Sequence, residues 1–304
     1  MNAKIAGLAS ILALVSGTVY GDFKASFSAG REAAAQKQYD LAIQKYEEAA
    51  AQTTVPGQRY QARLASAKAC GMKGEWEKAE VIIQQILKDE EIPARNRMSA
   101  QIFLGDCKLK QKKLEDAIAE YQKVPSFGIR NNESRYALLA CGDLNGQLKN
   151  YDEAAKCYQA LIDDPKADAV RKNHATVGMG KVLFNQGKYQ DAISLLSPLI
   201  GDPEISKKLC ADALTVTACA QYKMKAYEDV CKTDLSIIAL DGIPAYFKAS
   251  AYMQAINIRS GIFRDYPQAK KLLNDFEKMP GINESQKKWI MDHRAKIRKA
   301  EHTL

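Results

Sequence analysis

The stretch Asn150–Ile162, NYDEAAKCYQALI, sets two neighbouring carboxylates, Asp152 and Glu153, one helical turn before a thiol, Cys157. Acids beside a cysteine can tune a nucleophile, because the thiolate attacks and neighbouring charge sets how much thiolate exists. Other residues able to do chemistry are sparse. The three histidines, His174, His293 and His302, match no HExxH or other metal-ligand spacing, so no metal is expected. GMGK at 178–181 lacks the spacing of a phosphate-binding loop. The sequence holds no GxSxG elbow, CxxC pair or dinucleotide fingerprint. Asp163 and Asp164 stand beside Pro165, where carboxylates cap helices or stay solvated. These residue types predict no catalytic residue, no cofactor and a chain that is not an enzyme.

The elements around them read as helical. Alanine, lysine, glutamine and leucine are plentiful, and alternating β-branched runs are hard to find. Residues 1–21 differ from the rest: a basic start at Lys4, an uncharged apolar run, and a small residue at the cut, with Val19-Tyr20-Gly21 as the first cleavage site and Val15-Ser16-Gly17 as the second. That order predicts a cleavable signal peptide and an exported, periplasmic or extracellular protein, with no transmembrane segment in the mature chain. Forty-four basic against 36 acidic residues give a formal net charge of +8. Part of the excess lies between Lys287 and Lys299, a solvated face or a contact for an anionic partner. An exported chain with no recognition motif excludes nucleic acid. Seven cysteines are an odd number without a staple-like spacing, so most read as small core residues. Cys141–Cys157 and Cys219–Cys231 are the pairs that a helical hairpin could bring near each other.

The opening stretch recurs. Large residues stand at Tyr39, Trp76, Leu114, Tyr151, Tyr189 and Tyr227, and three residues after each comes a slim one: Ala42, Ala79, Ala117, Ala154, Ala192 and Val230. Twelve residues before each slim position stands a glycine or alanine: Gly30, Ala67, Gly105, Gly142, Gly180 and Ala218. Pro56, Pro93, Pro125, Pro165, Pro203 and Pro244 follow in phase and mark breaks, because proline cannot continue a helix interior. Each unit therefore reads as helix, tight turn, helix. The small residue of the first helix is expected to face the slim residue of the second, and the large anchor to fill the turn. One hairpin cannot bury its apolar stripe alone, whereas stacked hairpins bury one another's.

The three landmarks resemble the tetratricopeptide repeat, over residues 22–280, with a longer period of 37 or 38 residues. The resemblance implies an all-α, right-handed α-solenoid of six repeats and a degenerate seventh, which offers Tyr266 and Ala269 but slips by about two residues. Residues 281–304 read as a C-terminal capping helix, with Asn283 as its N-cap. The extended period looks like that of bacterial envelope members. The family's mode of action implies a non-enzymatic scaffold that holds a protein or peptide partner in a concave groove lined by the first helices. Carried over repeat by repeat, those positions select His174, Lys181, Phe184, Tyr222, Lys223, Tyr136 and Tyr252 as partner-binding residues. An envelope glycan or peptidoglycan near Phe184 and Tyr222 is the alternative ligand.

Overall fold

The computed structural model describes residues 23–302. The signal-peptide reading of residues 1–21 lies outside the described residues. No strand occurs among the described residues. Helix follows helix: α1 (23–35), α2 (Tyr39–Ala51), α3 (Pro56–Lys73), α4 (Trp76–Lys88), α5 (Ala94–Lys110) and α6 (Leu114–Gln122). Then come α7 (Asn132–Gln147), α8 (Tyr151–Ile162), α9 (Ala169–Asn185), α10 (Tyr189–Ile200), α11 (Lys207–Lys223) and α12 (Tyr227–Ala239). The last are α13 (Ala245–Asn257), α14 (Tyr266–Glu277) and α15 (Glu284–Glu301). The chain divides into two compact units, one ending at Leu144 and one beginning at Asn145. Within each, consecutive helices pack as hairpins in series, the α-solenoid class that the repeat predicts.

Each predicted anchor is the first residue of a second helix: Tyr39, Trp76, Leu114, Tyr151, Tyr189 and Tyr227 open α2, α4, α6, α8, α10 and α12. The slim residues Ala42, Ala79, Ala117, Ala154, Ala192 and Val230 are all 0% exposed, as is Ala269 in α14. Acids such as Asp40, Glu115 and Asp152 follow the anchors in the first turn, where they meet the positive end of the helix dipole.

The turn before each anchor has one geometry. A residue with positive φ stands five places ahead of each slim residue: Lys37, Gly74, Lys112, Lys149, Gly187, Lys225 and Arg264. The next N–H then reaches back five residues. Gln38 donates to the Ala33 carbonyl at 2.8 Å, Lys113 to Lys108 at 3.0 Å, and Asn150 to Asn145 at 2.8 Å. This left-handed cap satisfies carbonyls that a helix end otherwise leaves orphaned.

One expectation needs correction. At Gly30, Gly105 and Gly180 the side chain nearest the small residue is not the slim one but a large one, a turn further along the second helix, whereas Ala67 with Ala79 and Ala218 with Val230 share a core cluster as expected. A Cβ on Gly30 would lie 2.7 Å from the Tyr46 ring, and one on Gly105 would lie 2.5 Å from Tyr121. One on Gly180 would meet Leu196 at 2.9 Å. Tyr46, Tyr121 and Leu196 each stand four residues after the slim position. The ring fills the space between helices, and glycine is what admits it.

The seventh hairpin also departs from the regular pattern. Residues Ile258–Ile262 form a π turn, and Asp265 N–H reaches back six residues to Arg259. Arg264 still stands five places before Ala269, so the slip seen in the sequence is absorbed inside the first helix. Arg259 is held there by Glu228 of the preceding repeat at 3.0 Å and lies 5.2 Å over the Phe263 ring. In α15 the Asn283 side chain accepts from Gln286 N–H while the Gln286 side chain accepts from Asn283 N–H, a complete capping box. No helix among the described residues is long and apolar enough to cross a membrane.

Candidate functional site

All seven cysteines are thiols, so neither Cys141–Cys157 nor Cys219–Cys231 is bridged. Burial pushes the Cys107 thiol up to about 12 and Cys231 up to about 11, which leaves almost no thiolate at neutral pH. Cys70, Cys210 and Cys219 are also raised, each chiefly by burial. Asp152, five residues before Cys157, instead accepts a hydrogen bond from Gln186 of the next repeat at 3.2 Å. No cluster of His, Cys, Asp and Glu able to hold a metal is found among the described residues.

The predicted partner residues separate into two groups. Phe184 is half-buried, with its ring 5.6 Å from Tyr189, and packs on the core of α9 to α11. Tyr252 is 9% exposed and stacks on Phe276 at 5.2 Å. Both are packing residues. Tyr252 shares its face with Ala249, Ala255 and Ile256, all buried, and that spacing already points inward. His174, Lys181, Tyr222 and Lys223 are exposed. Lys181 of α9 faces Asp212 of α11 at 3.7 Å. Tyr136, in the other unit, presents an exposed ring, but its hydroxyl donates to Asp106 at 3.0 Å, an acid that Tyr121 also engages at 2.5 Å.

A trough opens between α11 and α13. Tyr222 of α11 forms one wall, and α13 with its π turn forms the other through Ser250, Met253, Gln254, Asn257 and Ile262. Its volume is 420 Å³. Ser250, Gln254 and Asn257 recur at i, i+4 and i+7, so they line one stripe of α13. None makes a side-chain hydrogen bond in the structure. Tyr246, 57% exposed, stands four residues before Ser250 on the same stripe. The T-shaped contact of Tyr222 on Tyr227, 5.6 Å between rings, fixes the opposite wall. The arrangement offers aromatic and aliphatic surface beside amide and hydroxyl groups with unused donors and acceptors. The signal for it was available in the sequence: polar residues on α13 fall on the face opposite the Ala249–Tyr252–Ala255 stripe.

A family model described as the tetratricopeptide repeat matches residues 139–197, a span from α7 to α10. Residues 139–197 thus match the tetratricopeptide repeat, and the hairpins on either side share its helix-turn-helix form. Such repeats generally serve as scaffolds for protein interaction, and the trough lies on their first helices. Among solved structures, a tetratricopeptide repeat protein from Parabacteroides merdae is 14% identical with a TM-score of 0.57. The match covers 90% of this chain and 98% of that one. The apo form of RapI is 11% identical with a TM-score of 0.63, over 90% of this chain and 80% of RapI. PilF of Pseudomonas aeruginosa is 13% identical with a TM-score of 0.51, over 76% of this chain and 97% of PilF. At these identities the likeness is one of fold. No curated protein matches the chain in sequence.

Proposed function

We propose that the chain is a non-catalytic scaffold of the bacterial cell envelope, exported by residues 1–21, that holds an extended segment of a partner protein along α13. The observation that carries the binding mode is the stripe of Ser250, Gln254 and Asn257, three polar side chains without partners on one helix face. An extended peptide exposes main-chain donors and acceptors at regular intervals, and amides answer both. Tyr222, Met253 and Ile262 supply the apolar surface for its side chains. His174, Lys181 and Lys223 are exposed on the first helices of the two preceding repeats and would extend the contact.

A photoreactive residue at position 254, in the full chain expressed in a bacterial host, tests this reading. One defined adduct is expected, lost on Asn257→Ala with Tyr222→Ala. The same residue at 232, on α12, should not form it. Identical adducts from both positions, or survival of the adduct in the double variant, would overturn the assignment. Recovery of a full-length chain from the cytoplasm, with residues 1–21 still attached, would overturn the export reading.

A further inference from the structure

A second trough opens on the other kind of helix, in the unit that ends at Leu144. It runs between α2 and α4 over α3 and encloses 520 Å³, a volume typical of sites that hold ligands. Along α2 it extends from Ile43 to Ala51, which at helical rise is about 12 Å, the length of a short linear segment.

Three observations characterise what fits. Val81 is 56% exposed beside the half-buried Ile43 and Ile82, so the walls present open apolar surface. Ser66, in the floor, is 1% exposed and its hydroxyl has no hydrogen-bond partner. The rim charges are unequally committed. Lys78 is paired with Glu75 at 2.8 Å, and Arg63 with Asp89 at 3.0 Å. Glu47 makes no ion pair, which leaves the uncommitted charge of the rim negative although the whole chain is basic.

We propose that this trough is a separate docking site for an amphipathic basic segment of a partner protein, with apolar side chains over Val81 and Ile82 and a cationic group against Glu47. It does not depend on the first-helix trough of the other unit. Charge complementarity selects this occupant, since an acidic segment would meet Glu47 with like charge. A purely polar segment would leave the apolar walls uncovered.

The test uses the full chain and a dye-labelled helical peptide of leucine and lysine, about fourteen residues long so that it holds a helix. Fluorescence anisotropy should show saturable binding, weakened at least about tenfold by Glu47→Lys and by Val81→Asp. Both variants should melt at the wild-type temperature, because both sites are exposed. Tyr222→Ala, in the other trough, should leave the affinity unchanged. A matched leucine and glutamate peptide and a matched serine and lysine peptide should bind poorly. The proposal is overturned by no binding, by equal binding of the acidic peptide, by indifference to both Glu47→Lys and Val81→Asp, or by loss through Tyr222→Ala alone.

Discussion

Gly105 shows how much a single hydrogen atom can decide. A methyl group there would sit 2.5 Å from the Tyr121 ring, which is 2% exposed and tied by its hydroxyl to Asp106. The ring has nowhere to retreat, so the helices must part. Gly105→Ala is expected to cost about 1–3 kcal/mol through overpacking, although alanine is the better helix former. Thermal denaturation measures it, and an unchanged or higher melting temperature would show that the ring can move. Smallness at Gly30, Gly105 and Gly180 was legible in the sequence, but its purpose was not. Spacing along one helix says that a position is close to something. Which residue of the neighbour lies opposite depends on the axial offset between helices, and that is set by packing.

Elements were the most legible level. The anchor-to-slim spacing of three put Tyr39, Trp76 and their counterparts at the first position of each second helix, and the prolines marked the breaks. The left-handed turn residue was not read, because lysine has no sequence reputation for positive φ. Yet Lys37, Lys112, Lys149 and Lys225 occupy the place that Gly74 and Gly187 fill in sister repeats. A side chain there costs about 1–2 kcal/mol in steric strain, while glycine carries more entropy in the unfolded chain, about 0.4–1 kcal/mol. Lys112→Gly should therefore stabilise the fold by about 0.5–1 kcal/mol, raising the denaturant midpoint at constant slope. A lower midpoint would mean that the lysine stem contributes packing of its own. The site on α13 was not legible from the aromatic residues of the first helices. Tyr252 and Phe184 turned inward, and the stripe left facing outward is mostly polar.

At the scale of the whole molecule, the two units carry carboxylates of opposite character. In the unit ending at Leu144, Asp89 receives Arg59 at 2.7 Å and Arg63 at 3.0 Å, and these guanidiniums hold its carboxyl below the usual range. Its contribution is complete above the unfolded pKa near 3.8 and is lost as pH falls through the lower folded value. In the unit beginning at Asn145, Asp234 is 1% exposed, one of its oxygens has no partner, and burial raises its pKa to about 8. The folded unit keeps that proton while the unfolded chain releases it near 3.8, so stability drains away as pH rises from there to about 8. Amide exchange along the chain is expected to show the first unit loosening in acid and the second as pH rises from about 4 to about 8. Asp234→Asn should flatten that rising-pH loss and leave the acid limb in place. A rising-pH loss that persists in this variant would assign the effect to another group.

The repeated turn also governs how a chain of this kind can change in length. Each left-handed residue in the turn before an anchor, from Lys37 to Arg264, stands at the same distance from the slim residue that follows it. A segment cut from one such turn to the next, Lys149 to Gly187 for instance, begins and ends on the same backbone conformation. Duplicating or deleting it joins like to like, with the reciprocal hydrogen bonds of the cap restored across the new joint. The turns are thus the natural points of recombination within the gene, and whole hairpins are the currency in which such a scaffold grows or shrinks.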